Sequence, residues 1–410
     1  MESPIPNLRP LAAGASSGIH ASDVVTCFLL PLSVWCFNAK LFMSVLGGCL
    51  CASSLIVLVL DYRGGPPAGN VSILSFVPAW AAITFIPELA TSRVRMYLTF
   101  WTVLLYRPIF NRLTAVFRRS FTFGEAAVLT QGGLLASCVL LNKLYWFPNL
   151  SVFYLGRRTA RWLDWLATYA ARPGAVRLVA MWTGLAVASV LLVVLYKQRG
   201  WRVTTLTRKI FHLSVVLVYV PGLLYDPLLL YTASLAATAL FLLLEMIRYT
   251  GVPLMGPLLN NYLRHFTDDK DNSGCLILTN IYLLVGVSMP LWLWPGKLDV
   301  RPLPLPLYAG VISVGIGDAA SSIVGSLVGR LHWPGSSGKT MEGAAAGFLA
   351  MLAAGVWITG GEVNMATWSA VCAVTAVFEA SVAQVDNLTL PLVMYSGLHL
   401  IQLMQQFWNF

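Results

Sequence analysis

Apolar residues run along this chain in long continuous blocks. They do not alternate as in a half-buried strand, nor follow the three-to-four spacing of a surface helix. A helix needs about 20 apolar residues to cross a bilayer. By that measure the blocks near 24–37, 41–60, 71–90, 124–141, 177–196, 210–225, 227–247, 276–294, 306–329, 343–359, 367–384 and 388–405 predict about twelve spans, within a range of roughly 10–14. Continuous blocks exclude a closed β-barrel, whose strands alternate, and no internal repeat is visible. The predicted fold class is all-α, a polytopic transmembrane helical bundle.

Composition sharpens this reading. Hydrophobic residues make up 57% of the 410 and charged residues only 11%, against roughly 25% in a soluble domain. A water-soluble enzyme, a disordered chain and a collagen-like rod are excluded. The net charge of +10 fits basic loops that set topology and meet anionic membrane lipids, and no nucleic-acid partner is implied. The first 22 residues make a poor signal-peptide start, so the block at 24–37 is expected to stay as an anchor. The seven cysteines lie mostly in apolar blocks without recurring spacing, and read as small buried hydrophobes rather than metal ligands or disulfides.

The blocks divide into two regions. Up to about residue 200 they are plain Leu/Val/Ala segments, separated by loops rich in arginine, including Arg93, Arg95, Arg107, Arg112, Arg157 and Arg158. Two of these loops, 91–122 and 142–176, are both basic, and one is expected to hold a re-entrant or surface helix. From 201 to 410, ionisable residues enter the blocks or crowd their ends, where each is a functional candidate because charge is costly in hydrocarbon. The positive-inside rule places 197–209, 248–275, 330–341 and Asp386 on the cytosolic side. Asp226 and Glu362 fall on the far side, and only Lys297 and Arg301 break the rule. Sequons occur at Asn70, Asn149 and Asn387; the one at Asn387 is cytosolic on this reading and not expected to carry a glycan.

The densest chemistry is the stretch 315–343, GIGDAASSIVGSLVGRLHWPGSSGKTMEG. Asp318 lies in an apolar block and demands a cation or a donor. On a helix turning about 100° per residue, Asp318, Ser321, Ser322, Gly325 and Gly329 share one narrow stripe. Its glycines suit either close helix packing or close approach by a ligand. A polar loop, 333–340, then leads into the next block, with Lys339 and Thr340 at its start and Glu342 in its first turn. A helix N-terminus suits phosphate, and Lys339 adds a full charge. Gly338-Lys339-Thr340 is not a P-loop, because Walker A spacing needs glycine at 333, which is Trp. Taken alone, the loop fits an ordinary helix cap. Together with the stripe it points to a phosphate–metal site, with Asp318 and Glu342 on Mg²⁺, an ion that takes a few carboxylates plus substrate phosphates.

Further polar residues fall on the same face. Arg208, Lys209 and His212 open the block at 210, and Glu245 and Arg248 stand at pairing distance. Glu379 and Asp386 flank the turn before the last block. The loop 265–274 is Asp-rich but lacks the final Glu of a calcium loop, position 280 being Asn. Each of these, taken singly, fits an interfacial charge or a structural ion pair better than it fits catalysis.

Four blocks of the second half resemble the dolichol kinases, CTP-dependent polyprenol kinases of the endoplasmic reticulum. They are RKIFHLSVVLVYVPGLLYDPLLLY (208–231), LEMIRY (244–249) with the Asp-rich loop and LILTNIYLLVGVSMPLWL (276–293), GDAASSIVGSLVGRLHWPGSSGKTMEG (317–343) and QVDNLTLPL (384–392). FTFGEAAVL (121–129) is similar too. The 317–343 block is shared with phosphatidate cytidylyltransferases and phytol kinases, whereas the others favour the polyprenol kinases. The resemblance implies transfer of the γ-phosphoryl group of CTP to the hydroxyl of dolichol or a related polyprenol, in support of protein glycosylation, by a multi-pass protein with its site facing the cytosol. It implies that residues 201–410 are catalytic, and a groove for the lipid tail is the expectation for residues 1–200.

On the matching positions, CTP is expected at Ser321, Ser322, Gly325, Ser326, Gly329, Arg330, Gly338, Lys339, Thr340 and Gly343. Mg²⁺ or another divalent cation is expected on Asp318 and Glu342, and the base for the acceptor hydroxyl at Asp386, Glu245 or His212. Many members carry Lys-Lys-Thr where this chain has Gly338-Lys339-Thr340, so one phosphate contact is expected to be missing or to be replaced by Arg330. A CTP:lipid cytidylyltransferase, another polyprenol or phytol kinase, and an ion-coupled transporter are the alternative readings.

Overall fold

A computed structural model describes residues 21–37, 41–62, 93–145, 164, 167–201, 205–264, 274–334, 338–381 and 386–408. The expected span at 71–90, the sequons at Asn70 and Asn149 and most of the Asp-rich loop lie outside them. The described residues are helical, and their only strand-like pairing is a single bridge between His332 and Thr340. The all-α class therefore holds. Among the described residues, four helices are long and apolar enough to cross a membrane: Pro173–Tyr196, Pro227–Thr250, Val311–Val328 and Met341–Ile358. Several other expected spans are apolar helices of shorter length. The chain forms two compact units, Met1–Arg172 and Pro173–Phe410.

The first unit contains α1 (Ala21–Phe37), α2 (Leu41–Tyr62), α3 (Arg93–Val116) and α4 (Phe123–Tyr145). The basic segment 91–122 is thus mostly one long helix, α3, packed on α2 and α4. It buries Val103, Tyr106 and Phe110, an apolar face that its arginines hide in any reading by average hydropathy. Polar groups tie this unit together. The Asp23 carboxylate accepts the Gly124 N–H at 2.8 Å at the start of α4, where a helix leaves donors unpaired. Thr122 and Glu125 form a reciprocal capping box there. Gln131 donates to the Cys27 carbonyl and to Ser54 Oγ, each at 2.8 Å, and Ser54 donates to Tyr106. The 121–129 block is therefore a structural joint of this unit.

The second unit contains α5 (Pro173–Gln198), α6 (Thr205–Tyr225), α7 (Pro227–Thr250), α8 (Met255–Leu263), α9 (Thr279–Leu293), α10 (Ala319–Val328), α11 (Met341–Ile358), α12 (Met365–Ser381) and α13 (Asp386–Trp408). Asp226 caps α7 by accepting the Leu229 N–H at 3.0 Å, and Gly251, with φ +68°, ends it. The block 306–329 is not one regular helix. A 3₁₀ turn, Leu305–Tyr308, precedes a π-helical segment, Val311–Asp318, which runs directly into α10. Such widened turns recur where a helix must place a functional side chain.

Small residues let the helices close around this segment. A Cβ on Gly315 would lie 2.6 Å from Val216 of α6, and one on Gly317 would lie 2.7 Å from Met351 of α11. On α11, Gly343 and Gly347 face Ser321 of α10, and Gly355 faces the ring of Trp368 of α12. Trp368 is buried and donates its ring N–H to the Leu352 carbonyl at 3.1 Å. Ile312, Val314, Met351, Trp368, Met394 and Tyr395 belong to the core that results. Outside it, α5 exposes Val187, Val190, Leu191 and Leu195, the apolar exterior that a lipid environment requires. Replacing Gly347 with Leu should cost about 1–3 kcal/mol by overpacking and lower the thermal unfolding midpoint in detergent. An unchanged midpoint would contradict the close crossing of α10 and α11.

Candidate active site

The ends of several helices of the second unit converge on a cavity of about 330 Å³, within the roughly 300–1,000 Å³ range of small-molecule sites. Asp318, the last residue of the π-helical segment, is the deepest charge, with its side chain 1% exposed. Lys209 and His212, one turn apart on α6, both reach its Oδ2, at 2.5 Å and 3.1 Å. Ser322, one turn along α10, donates to its Oδ1 at 3.4 Å. His212 Nε2 also lies 3.2 Å from Asn387 Oδ1. Through Nε2, His212 thus bridges Asp318 and Asn387.

A second charged group stands beside the first. Lys339 donates to Glu379 at the end of α12 and to Asp386 at the start of α13, the latter at 3.1 Å. Burial alone would lower the Lys339 ammonium, but Asp386, Glu379 and Asp318 outweigh it and hold the pKa above its ordinary value. The lysine is therefore charged throughout the physiological range. One oxygen each from Asp318, Glu379 and Asp386 lie within 4.8 Å of one another.

The loop that delivers Lys339 is pinned at both ends. The Met341 N–H donates to the Leu331 carbonyl and the Trp333 N–H to the Lys339 carbonyl, each at 2.8 Å. The Trp333 indole donates to Ser381 at 3.1 Å. Gly338 has φ +105°, a conformation that a side chain disfavours, so glycine suits this backbone. Thr340 caps α11 by accepting the Gly343 N–H at 3.2 Å. The start of α11 therefore spends its N–H groups of Met341 and Gly343 within the protein.

Of the residues singled out from the sequence, His212, Asp318, Ser321, Ser322, Gly325, Ser326, Gly338, Lys339, Thr340, Gly343 and Asp386 line the cavity. Four do not. Glu342 accepts the N–H groups of Arg330 and Leu331 at 3.0 Å and 3.1 Å. It sits one position before Gly343, which faces α10, so the helix turns it away from Asp318 and toward the loop. Arg330 is exposed, and the second cation of the cavity is Lys209 instead. Gly329 has Thr340 where a Cβ would stand, at 2.6 Å, so its bareness serves packing. Glu245 binds Arg248 through both oxygens, at 2.6 Å and 2.8 Å, and accepts the Ile277 N–H at 2.6 Å. Arg248 also reaches Asn260 and the Cys275 carbonyl. This closed network joins α7, α8 and the entry to α9, away from the cavity.

Lys209, Glu379 and Asn387 line the cavity and were not assigned to it from the sequence, as do Phe211, Thr279 and Asn280. Glu379 and Asn387 each carried a signal, a carboxylate near a block end and a sequon on the cytosolic side. Asn387 and Thr389 are buried, which closes that sequon to glycosylation in the folded protein.

The architecture and cavity define an all-helical protein with membrane-length helices and a paired lysine–carboxylate site at its helix ends. The family profile for dolichol kinase matches residues 90–363, and the chain belongs to the dolichol kinase family. Human dolichol kinase is 38% identical over 237 residues, covering 53% of this chain and 43% of the human protein. Dolichol kinase EVAN of Arabidopsis thaliana is 38% identical over 199 residues, 47% of this chain and 34% of that protein. Dolichol kinase of Saccharomyces cerevisiae is 36% identical over 140 residues, 34% of this chain and 25% of that protein. The chain thus matches less than half the length of these relatives. No solved structure matches it.

Because Glu245 neutralises a buried guanidinium, its change to Ala should cost about 3–5 kcal/mol of stability, read as a lowered unfolding midpoint in detergent. A midpoint equal to that of the wild type would remove Glu245 from this structural role.

Proposed function

We propose that the chain is a CTP-dependent dolichol kinase, which transfers the γ-phosphoryl group of CTP to the terminal hydroxyl of dolichol to give dolichyl phosphate and CDP. The observation that carries this is the cavity itself, where two lysines and three carboxylates from five helix-end segments meet within a family whose members are named for dolichol phosphorylation. Phosphoryl transfer needs charge neutralisation and in-line positioning more than covalent help, and this set of groups suits it.

The donor set also fits a divalent cation such as Mg²⁺. Three carboxylate oxygens within 4.8 Å are the hard ligands it prefers, with substrate phosphates completing its shell. Asp318, Glu379 and Asp386 would hold it, in place of the Asp318–Glu342 pair expected from spacing. Bound there, the ion would offset charge on the β- and γ-phosphates. Lys209 and Lys339 supply the protein's own positive charge to those oxygens, and Ser321 and Ser322 line the same cavity. Asp386, 22% exposed where Glu379 is 5% and Asp318 is 1%, is the carboxylate open enough to take the acceptor proton, on the oxygen that it would not offer to the ion. As the dolichol oxygen bonds to the γ-phosphorus, that proton passes to Asp386, and the bond from the γ-phosphorus to the bridging oxygen breaks to release CDP.

The acceptor hydroxyl lies at the membrane boundary and the nucleotide comes from water, so a site at helix ends lets them meet. Within 201–410 the alternation of basic and non-basic turns supports a cavity on the cytosolic side, the apolar blocks support a multi-pass protein of about twelve spans, and the family resemblance supports the endoplasmic reticulum membrane. Its product would then serve protein glycosylation.

Asp318→Asn and Lys339→Ala should each lower CTP-dependent dolichol phosphorylation by about 100-fold or more while the protein still inserts. The assay is labelled CTP with purified protein, dolichol and Mg²⁺. Activity near wild type in either variant, or release of pyrophosphate in place of CDP, would overturn the reading.

A further inference from the structure

Lys339 stands where the cation would be. Its ammonium donates to Glu379 and Asp386, two of the three carboxylates that could hold a divalent ion, and its charge also acts on the third, Asp318. An ammonium and a divalent cation repel each other and compete for the same oxygens. The loop backbone beside Lys339 is held by the bridge between His332 and Thr340 and by the Trp333–Ser381 hydrogen bond. What can move is the side chain, a flexible four-carbon stem that is 29% exposed and lines the cavity. It has somewhere to go when an anion arrives.

We propose that Lys339 is a tethered counter-cation: it occupies the three-carboxylate site in the nucleotide-free protein and yields it to a divalent ion only when nucleotide phosphate draws the ammonium away. This rests on the reading of the cavity as a nucleotide and metal site. Buried carboxylates left without a cation are strongly destabilising, so the lysine leaves as the ion arrives. Nucleotide and ion therefore promote each other's binding by the same factor, as linkage requires.

The test is Mn²⁺ binding to the purified full-length chain in detergent without nucleotide, read by electron paramagnetic resonance of free Mn²⁺. Lys339→Met should bind Mn²⁺ about 10-fold more tightly than wild type or better. Lys339→Gln, which keeps a donor for Glu379 without the charge, should do the same and serves if the Met variant does not fold. Lys339→Arg should remain as weak as wild type, and adding Glu379→Gln to the neutral variant should remove the gain. Wild-type affinity equal to that of the neutral variants would overturn the proposal, as would a gain that survives Glu379→Gln. Equilibrium dialysis with CTP separates the two readings. CTP binding by wild type without a Mn²⁺ gain in the variants sinks the tethered cation alone. A Mn²⁺ gain without CTP binding sinks the nucleotide reading and keeps the competition between lysine and ion.

Discussion

The contacts of Lys209 with Asp318 and of Lys339 with Glu379 and Asp386 govern how the second unit is put together. A carboxylate as deep as Asp318 or Glu379 is costly out of water unless a cation and further donors reach it. The partners come from α6, from the loop before α11, and from the facing ends of α12 and α13. Each of those elements must therefore end at the same level and face inward. His212 and Ser322 complete the set on Asp318, at Oδ2 and Oδ1, and Asn387 stands against His212.

That convergence depends on how closely the helices approach. The π-helical segment, the glycines on its faces and the glycine stripe of α11 bring backbones near enough for side chains from separate helices to share one cavity. A polar site inside an apolar bundle needs this crowding, because a wider gap would admit lipid or leave donors unpaired. The loop from 329 to 341 meets the same demand locally. Glu342, Trp333 and Thr340 are spent on fixing its shape, so that Lys339, the residue that enters the cavity, starts from a fixed base.

Much of the cavity was legible from residue type and spacing. Asp318 stood out as a carboxylate in an apolar block, and the stripe through Ser321, Ser322 and Gly325 followed from helical geometry. Lys339 followed from its place before a helix start. Glu342 misled because nearness in sequence to a phosphate-like loop says nothing about which side of the first turn faces inward. Glu245 misled for the opposite reason: a carboxylate near an arginine reads the same whether the pair is closed on itself or open to a ligand. Lys209 and Glu379 stood only among the polar residues of one face, and Asn387 only as a sequon, because their place in the cavity comes from partners 109, 40 and 175 residues away in the chain.

Long apolar blocks and scarce charge determined the all-helical, membrane-length character of this protein, because each is a property of the chain read locally. The periodicity of a single helix likewise determined which residues share the stripe below Asp318. Tertiary structure alone decided which carboxylates stand together, which cation each one meets, and that the start of α11 closes on its own loop. These depend on distances between helices distant in sequence, set by where glycines permit close approach and by the need to pair every buried charge.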